Sequence, residues 1–230
     1  MTMAENQSIQ AIKKGAYLRV GLALPIFALV IILPAWKWDY WQGWLYLLIL
    51  YIPMFFVLYY LLKNDPALLQ RRMRMREKES VQRRIIVLSL VYFLVAFSLP
   101  GFDVRFGWSN VPAWVSLVAD VLVFIGYMTF VWVLMVNSYL SRVVEVEAGQ
   151  KVVSTGPYAI VRHPMYAGIS LMYVATPVAL GSFWALIPAV FIVPLLVARL
   201  RNEEQVLRRD LPGYEENTHK VKYRLLPGIW

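Results

Sequence analysis

The apolar residues of this chain arrive in six runs, and nothing else in the sequence constrains the fold as much. The runs are 18–36, 44–62, 85–100, 113–136, 166–180 and 183–198. A helix needs about 20 residues to cross roughly 30 Å of hydrocarbon. The first, second and fourth runs meet that length, and the third is slightly short. The last two are shorter still and are separated only by Gly181-Ser182, which predicts a tight helical hairpin. Charged residues make up 16% of the chain, where a soluble domain carries about a quarter. The expectation is an all-α integral membrane protein of one structural domain. Its N-terminal transmembrane segments occupy 1–136 and a C-terminal core occupies 137–230. The polar stretch 1–10 lacks a cleavable-signal pattern, so the first run is expected to stay in the mature protein.

Basic residues sort by loop. The stretch 63–84 carries Lys63, Arg71, Arg72, Arg74, Arg76, Lys78, Arg83 and Arg84. The stretch 137–165 adds Arg142, Lys151 and Arg162, and the tail adds Arg199, Arg201, Arg208, Arg209, Lys220, Lys222 and Arg224. The alternate loops hold only Lys37 and Arg105. By the positive-inside rule both termini are expected in the cytoplasm, and Trp36, Trp38, Trp41, Trp44, Trp108 and Trp114 form a belt at the opposite interface. The net charge of +9 then reads as loops facing anionic membrane lipid rather than nucleic acid. The stretch 65–84 reads as an amphipathic, lipid-facing helix.

The chain has no cysteine, which removes disulfides, thiolate nucleophiles and cysteine metal sites. Two histidines, His163 and His219, are too few for a protein-only zinc site unless carboxylates join them, and no metal is expected. No obligate protein partner is implied.

Two polar clusters flank the hairpin. The first is Gly156-Pro157-Tyr158, followed by Arg162-His163-Pro164-Met165-Tyr166 and Gly168. Gly-Pro breaks the chain, and His-Pro reads as a helix start, because proline's missing N–H costs nothing there. Such an end suits an anionic group, although from spacing alone a simple interfacial turn with a helix start is the favoured reading. The second cluster is Arg199, Arg201, Glu203 and Glu204. Arg199 and Glu203, four apart, share a helical face, whereas Arg201 and Glu204 fall off it. Read alone, this is an ordinary surface helix with ion pairs. The hairpin makes the clusters neighbours and brings His163 towards Glu203. Asp120 lies inside the fourth run, where an ionisable residue is a functional candidate by default, and a structural pairing with Arg105 is the favoured reading. Asn137 and Ser141, at the other end of that run, are capping or site-lining groups.

In order, Asn137 to Ser141, Val152-Val153 to Tyr158, the run from Val161 to Gly168, Arg199, Glu203-Glu204, Leu207, Pro212-Gly213-Tyr214 and the closing Tyr223-Arg224 to Gly228 resemble the isoprenylcysteine carboxyl methyltransferase family. The resemblance covers roughly the last two fifths of the chain and does not extend to the first four runs. It implies a membrane-embedded methyltransferase dependent on S-adenosyl-L-methionine, with a lipid-like or prenylated acceptor. It implies cofactor contacts at Gln150, Lys151, Val152, Val153, Tyr158, His163, Pro164, Met165, Tyr166 and Glu203. Substrate contacts would fall at Arg199 and Asn137, with Arg199 the residue at the chemistry. The eukaryotic members have histidine where Gln150 stands.

A carboxylate acceptor is already ionised at neutral pH, so in-line methyl transfer needs positioning and water exclusion rather than a strong base. Arg199 would orient that carboxylate and Glu203 would accept from the cofactor's ammonium. Tyr158 and Tyr166 would flank adenine or face the sulfonium. His163 is expected as a hydrogen-bonding contact, and as the first candidate base if the acceptor is an amine or thiol. Rival readings are a phospholipid N-methyltransferase, a sterol-reductase relative using a nicotinamide cofactor, and a small transporter or structural membrane protein.

Overall fold

The computed structural model describes residues 3–73, 80–141 and 144–230. Arg74, Arg76, Lys78 and Arg142 lie outside them, as do the side chains of Arg83 and Arg84. The described residues form eight α-helices and no strand. They are α1 (Met3–Ala35), α2 (Trp41–Asn64), α3 (Pro66–Arg72), α4 (Ser80–Phe106), α5 (Ala113–Val136), α6 (Pro164–Ala179), α7 (Leu186–Asp210) and α8 (Tyr214–Lys220). A single 3₁₀ turn, Gly156–Ala159, precedes α6. Three stretches are long and apolar enough to cross a bilayer: Ile12–Ala35, Trp41–Asn64 and Ala113–Val136. Leu22, Ile26, Leu29, Phe55, Phe56, Val121 and Ile125 point outward from them, as lipid-facing side chains do. The chain is an integral membrane protein.

Two element boundaries differ from the sequence expectation. The third run sits inside a helix of 27 residues, because the polar flanks of 85–100 continue the helix at both ends. The sixth run does not stop at residue 198: α7 carries on as one helix to Asp210. Arg199 and Glu203 therefore lie on one helix, as their spacing predicts, in unbroken continuation of the sixth apolar run.

One core cluster gathers Ile31, Ala35, Tyr40, Tyr46, Phe97, Val123, Ala175 and Leu180 near the α1–α2, α4–α5 and α6–α7 turns. At the same end Trp36, Trp38, Trp108, Trp114 and Trp184 are exposed. A second cluster, built on Ala16, Leu58, Leu61, Leu68, Val133, Leu134 and Leu140, marks the opposite, basic end. There Asp65 caps α3, accepting from the Leu68 N–H at 2.8 Å with Pro66 at the first helical position.

Helices α5 and α6 cross at backbone contact, and two glycines make this possible. A Cβ on Gly126 would lie 2.6 Å from the Gly168 carbonyl oxygen, and one on Gly168 would lie 2.7 Å from the Gly126 oxygen. Small residues let membrane helices approach until their backbones touch. This crossing places the end of α5 beside the start of α6, and so brings Asn137 to the first polar cluster.

Asp120 is not paired with Arg105. It is 3% exposed, and neither of its carboxylate oxygens has a hydrogen-bond partner among the described residues. The Arg105 guanidinium instead lies over the rings of Trp36 and Phe106, at 5.6 and 5.3 Å.

Candidate active site

A cleft opens at the basic end, between the end of α5, the segment 139–153, the start of α6, α7 and α8; with its open mouth it spans about 910 Å³. Its wall includes Asn137, Gln150, Lys151, Val152, Val153, Tyr158, His163, Pro164, Met165, Tyr166, Arg199 and Glu203. The residues singled out from the two polar clusters and from 150–153 thus share one cavity. Tyr139, Glu145, Val206, Leu211, Tyr214 and Asn217 also line the wall, and the sequence did not mark them as site residues. Three of them ride on α8 and its approach. A seven-residue helix carries too little periodicity to be read from sequence, and only Pro212-Gly213 signals its start.

Local structure explains how each side chain is aimed. Gly156 adopts φ +57, a conformation that a side chain disfavours, and this lets the chain turn beneath α5 into the 3₁₀ helix. Tyr158 then projects back towards Asn137. The Asn137 Nδ2 donates to the Tyr158 hydroxyl at 2.8 Å, while its Oδ1 accepts from the Tyr139 N–H at 3.0 Å. Asn137 therefore holds Tyr158 and closes its own turn as well as lining the cavity. Burial pushes the Tyr158 phenol up to about 12, so it stays a neutral donor or acceptor. Gln150 likewise serves its own turn, its Oε1 accepting from the Glu147 N–H at 2.9 Å.

Pro164 opens α6, with His163 just before it. His163 is 4% exposed, with its Nε2 at 3.4 Å from the Tyr214 hydroxyl. Burial depresses its pKa and outweighs the opposing pull of Glu203 and Glu204, so the imidazole is neutral near pH 7. Tyr166 is buried in the first turn of α6, edge-on to the His163 ring at 6.0 Å. Its hydroxyl donates to Glu203 Oε2 at 2.5 Å. Arg199 also bonds that hydroxyl, so Arg199, Tyr166 and Glu203 converge on one point of the wall. An acceptor carboxylate and a guanidinium stand side by side there, four residues apart on one helix.

Glu204, next in sequence, does something else. It is 4% exposed, and both of its oxygens are taken by arginines. Arg162 Nε donates to Oε1 at 2.9 Å, and Arg224 Nε donates to Oε2 at 2.7 Å. Burial alone would raise this carboxyl, but the Arg224 hydrogen bond and the charges of Arg162 and Arg224 outweigh it and hold the pKa below the usual range. No group of three or more metal-ligating side chains occurs among the described residues.

The chemistry available at this wall is recognition of a zwitterionic or cationic group by Glu203, and of an anion by Arg199, beside a neutral imidazole and two tyrosines. Residues 114–212 match the family model described as phospholipid methyltransferase. The matched span covers α5, the 3₁₀ turn, α6 and α7, which are the elements that build most of the cavity. No curated protein matches the chain significantly.

Proposed function

We propose that this chain, a membrane methyltransferase of the superfamily that includes the isoprenylcysteine carboxyl methyltransferase and phospholipid methyltransferase families, transfers a methyl group from S-adenosylmethionine to the carboxylate of a lipid-like acid. The observation that carries this reading is the convergence of Arg199, Tyr166 and Glu203 on the cavity wall.

The residues present suit that cofactor. Small-molecule sites are concave and fitted with convergent polar groups, and this cleft between helices lines a mixed apolar and polar wall with such groups. Glu203 offers a carboxylate to an ammonium group, and Tyr158 and His163 offer rings and polar atoms to an adenosine. Val152 and Val153 give an apolar edge. When bound, the cofactor supplies an electrophilic methyl on a positively charged sulfur. Arg199 would hold the acceptor carboxylate, bidentate through its planar fork, with an oxygen aimed at that methyl. Tyr166 would fix both Arg199 and Glu203, so that cofactor and acceptor are held relative to each other. Rate then comes from orientation and from keeping water out, with no proton to remove. The cavity would open to the cytoplasm, in keeping with the basic loops around it.

A second reading has its own support. The family match is to phospholipid methyltransferases, and the amine of a phospholipid headgroup is the alternative acceptor. An ammonium must lose a proton before it can attack, and the neutral His163 imidazole is a ready acceptor. Arg199 favours the acidic acceptor.

Calorimetric titration of S-adenosylmethionine into the detergent-purified protein tests the cofactor. Saturable binding that is markedly weakened in Glu203→Ala is expected; no binding to folded wild type overturns the proposal. Methyl-labelled cofactor offered with a prenylated cysteine acid or with phosphatidylethanolamine then separates the acceptors. A base-labile labelled product is an ester, and a base-stable one an amine.

A further inference from the structure

The segment 221–230 does more than trail from α8. It runs back across the start of α6 and pairs with it through the backbone. The Arg162 N–H donates to the Tyr223 oxygen at 2.9 Å, and the His163 N–H donates to the Arg224 oxygen at 3.0 Å. Arg162 Nη1 adds bonds to the Val221 and Lys222 carbonyls, each at 2.7 Å. The segment folds into a closed loop, because the N–H groups of Arg224 and Leu225 donate to the Trp230 oxygen at 2.9 and 3.0 Å. The Trp230 ring lies beneath the guanidinium groups of Arg224 and Arg201, at 5.4 and 5.8 Å. Leu225 and Trp230 pack on the Tyr166, Leu196 and Leu200 cluster.

Everything in this loop converges on presenting Arg224 to Glu204. Arg162 holds the same carboxylate from the α6 side, and both partners of that pair are about 5% exposed. Glu204 is thereby pinned at two points that a single helix cannot supply. Successive helical residues lie about 100° apart. Fixing the rotation of α7 at Glu204 therefore fixes where Glu203 points.

We propose that Arg224 is a positioning residue: through Glu204 it locks α7 in the rotation that keeps Glu203 on Tyr166 and facing the cavity. This rests on the reading of Glu203 as a cofactor contact given above. The loop is then a strap that couples the segment beyond α8 to the cofactor site, although no residue from 221 to 230 lines the cavity.

The test uses the full chain in detergent and two ligands: S-adenosylmethionine, and 5′-methylthioadenosine, which lacks the amino-acid part. Arg224→Ala should weaken S-adenosylmethionine roughly 10- to 100-fold, the scale of a small misplacement. It should leave 5′-methylthioadenosine within about twofold of wild type. Arg224→Lys, which keeps the charge, should recover part of the loss. In a Glu203→Ala background, Arg224→Ala should add nothing, because the residue it acts through is gone.

Equal loss of both ligands, additive losses in the double variant, or no loss at all would each overturn the proposal. If Arg224→Ala does not fold, Arg224→Lys and Glu204→Gln take its place in the ligand comparison. Selective weakening of S-adenosylmethionine then supports the positioning role, and equal or absent weakening overturns it. Failure of wild type to bind S-adenosylmethionine is a separate result: it overturns the cofactor reading, and the positioning role with it.

Discussion

The two ends of this bundle each gather polar side chains, and they use them in opposite ways. At the tryptophan end, Asp103 is fully buried and its oxygens are consumed within the protein. It accepts from the Ser109 N–H and hydroxyl at 2.6 and 2.7 Å, and from the Ser182 hydroxyl at 2.5 Å. Tyr40 donates to the Leu180 carbonyl at 2.6 Å. These bonds tie three interhelical turns together, and none of these groups lines the candidate site. At the basic end Glu204 behaves like Asp103, but its neighbour Glu203 faces open space. A buried polar group in a membrane protein is thus informative only once its partners are known. Satisfied inside, it is a rivet; satisfied on one side and open on the other, it is a binding group.

The largest way to break this contrast is to spoil the rivet at the basic end. Arg162→Ala strands the buried Glu204 carboxylate with one cation and removes two bonds to the segment 221–230. Breaking a buried pair from one side costs about 3–5 kcal/mol. Thermal unfolding in detergent should show a drop of many degrees, and a drop indistinguishable from that of a surface arginine variant such as Arg209→Ala would refute the assignment. Glu203→Ala should do the reverse. The helix keeps its fold, while cofactor affinity falls by about 1.5–3 kcal/mol, the range for hydrogen bonds to charged groups. Arg199→Ala should retain cofactor and lose turnover; loss of both would merge the two roles.

Gly126→Ala comes next. The added methyl meets the Gly168 carbonyl oxygen at 2.6 Å, backbone that cannot swing away, and overpacking costs about 1–3 kcal/mol. Because α5 and α6 carry Asn137 and His163 to the cavity, cofactor affinity should fall along with stability. Asp103→Asn should lower the unfolding temperature modestly and leave cofactor affinity within about twofold, since nothing connects that rivet to the cavity. A large affinity loss there would erase the distinction between the two ends.

How much of this was legible in the sequence follows from what each signal depends on. The spans α1, α2 and α5 follow from hydrophobicity alone, because the bilayer sets a length and excludes charge. The cavity's position was legible because Gly156-Pro157, His163-Pro164 and the Arg199–Glu203 spacing are local signals, and the hairpin makes their two clusters neighbours. Glu203 and Glu204 could not be told apart in role. What distinguishes them comes from Arg162 and Arg224, 42 and 20 residues away, in contacts with no local trace. Asp120 shows the same limit: Arg105 was the nearest available cation in sequence, but it stacks on Trp36 and Phe106 instead. The bond from the Tyr166 hydroxyl to Glu203 is likewise an orientation that helix register alone does not give.

The smallest expected effect is of pH, and it too separates the ends. Burial depresses the His163 pKa below its ordinary 6.5, and the arginines depress that of Glu204 below its ordinary 4.5 despite burial. In both cases the unfolded chain takes up a proton at a higher pH than the folded one. Stability therefore rises with pH across each window and falls as pH drops. The His163 contribution starts to be lost as pH falls through about 6.5, and the Glu204 contribution only as it falls below about 4.5. Unfolding temperatures measured from about pH 8 down to about pH 5 should decline below neutrality. His163→Gln, which removes the titrating ring, should flatten that decline. A slope unchanged by His163→Gln would place the titration elsewhere and detach this part of the pH response from the cavity end.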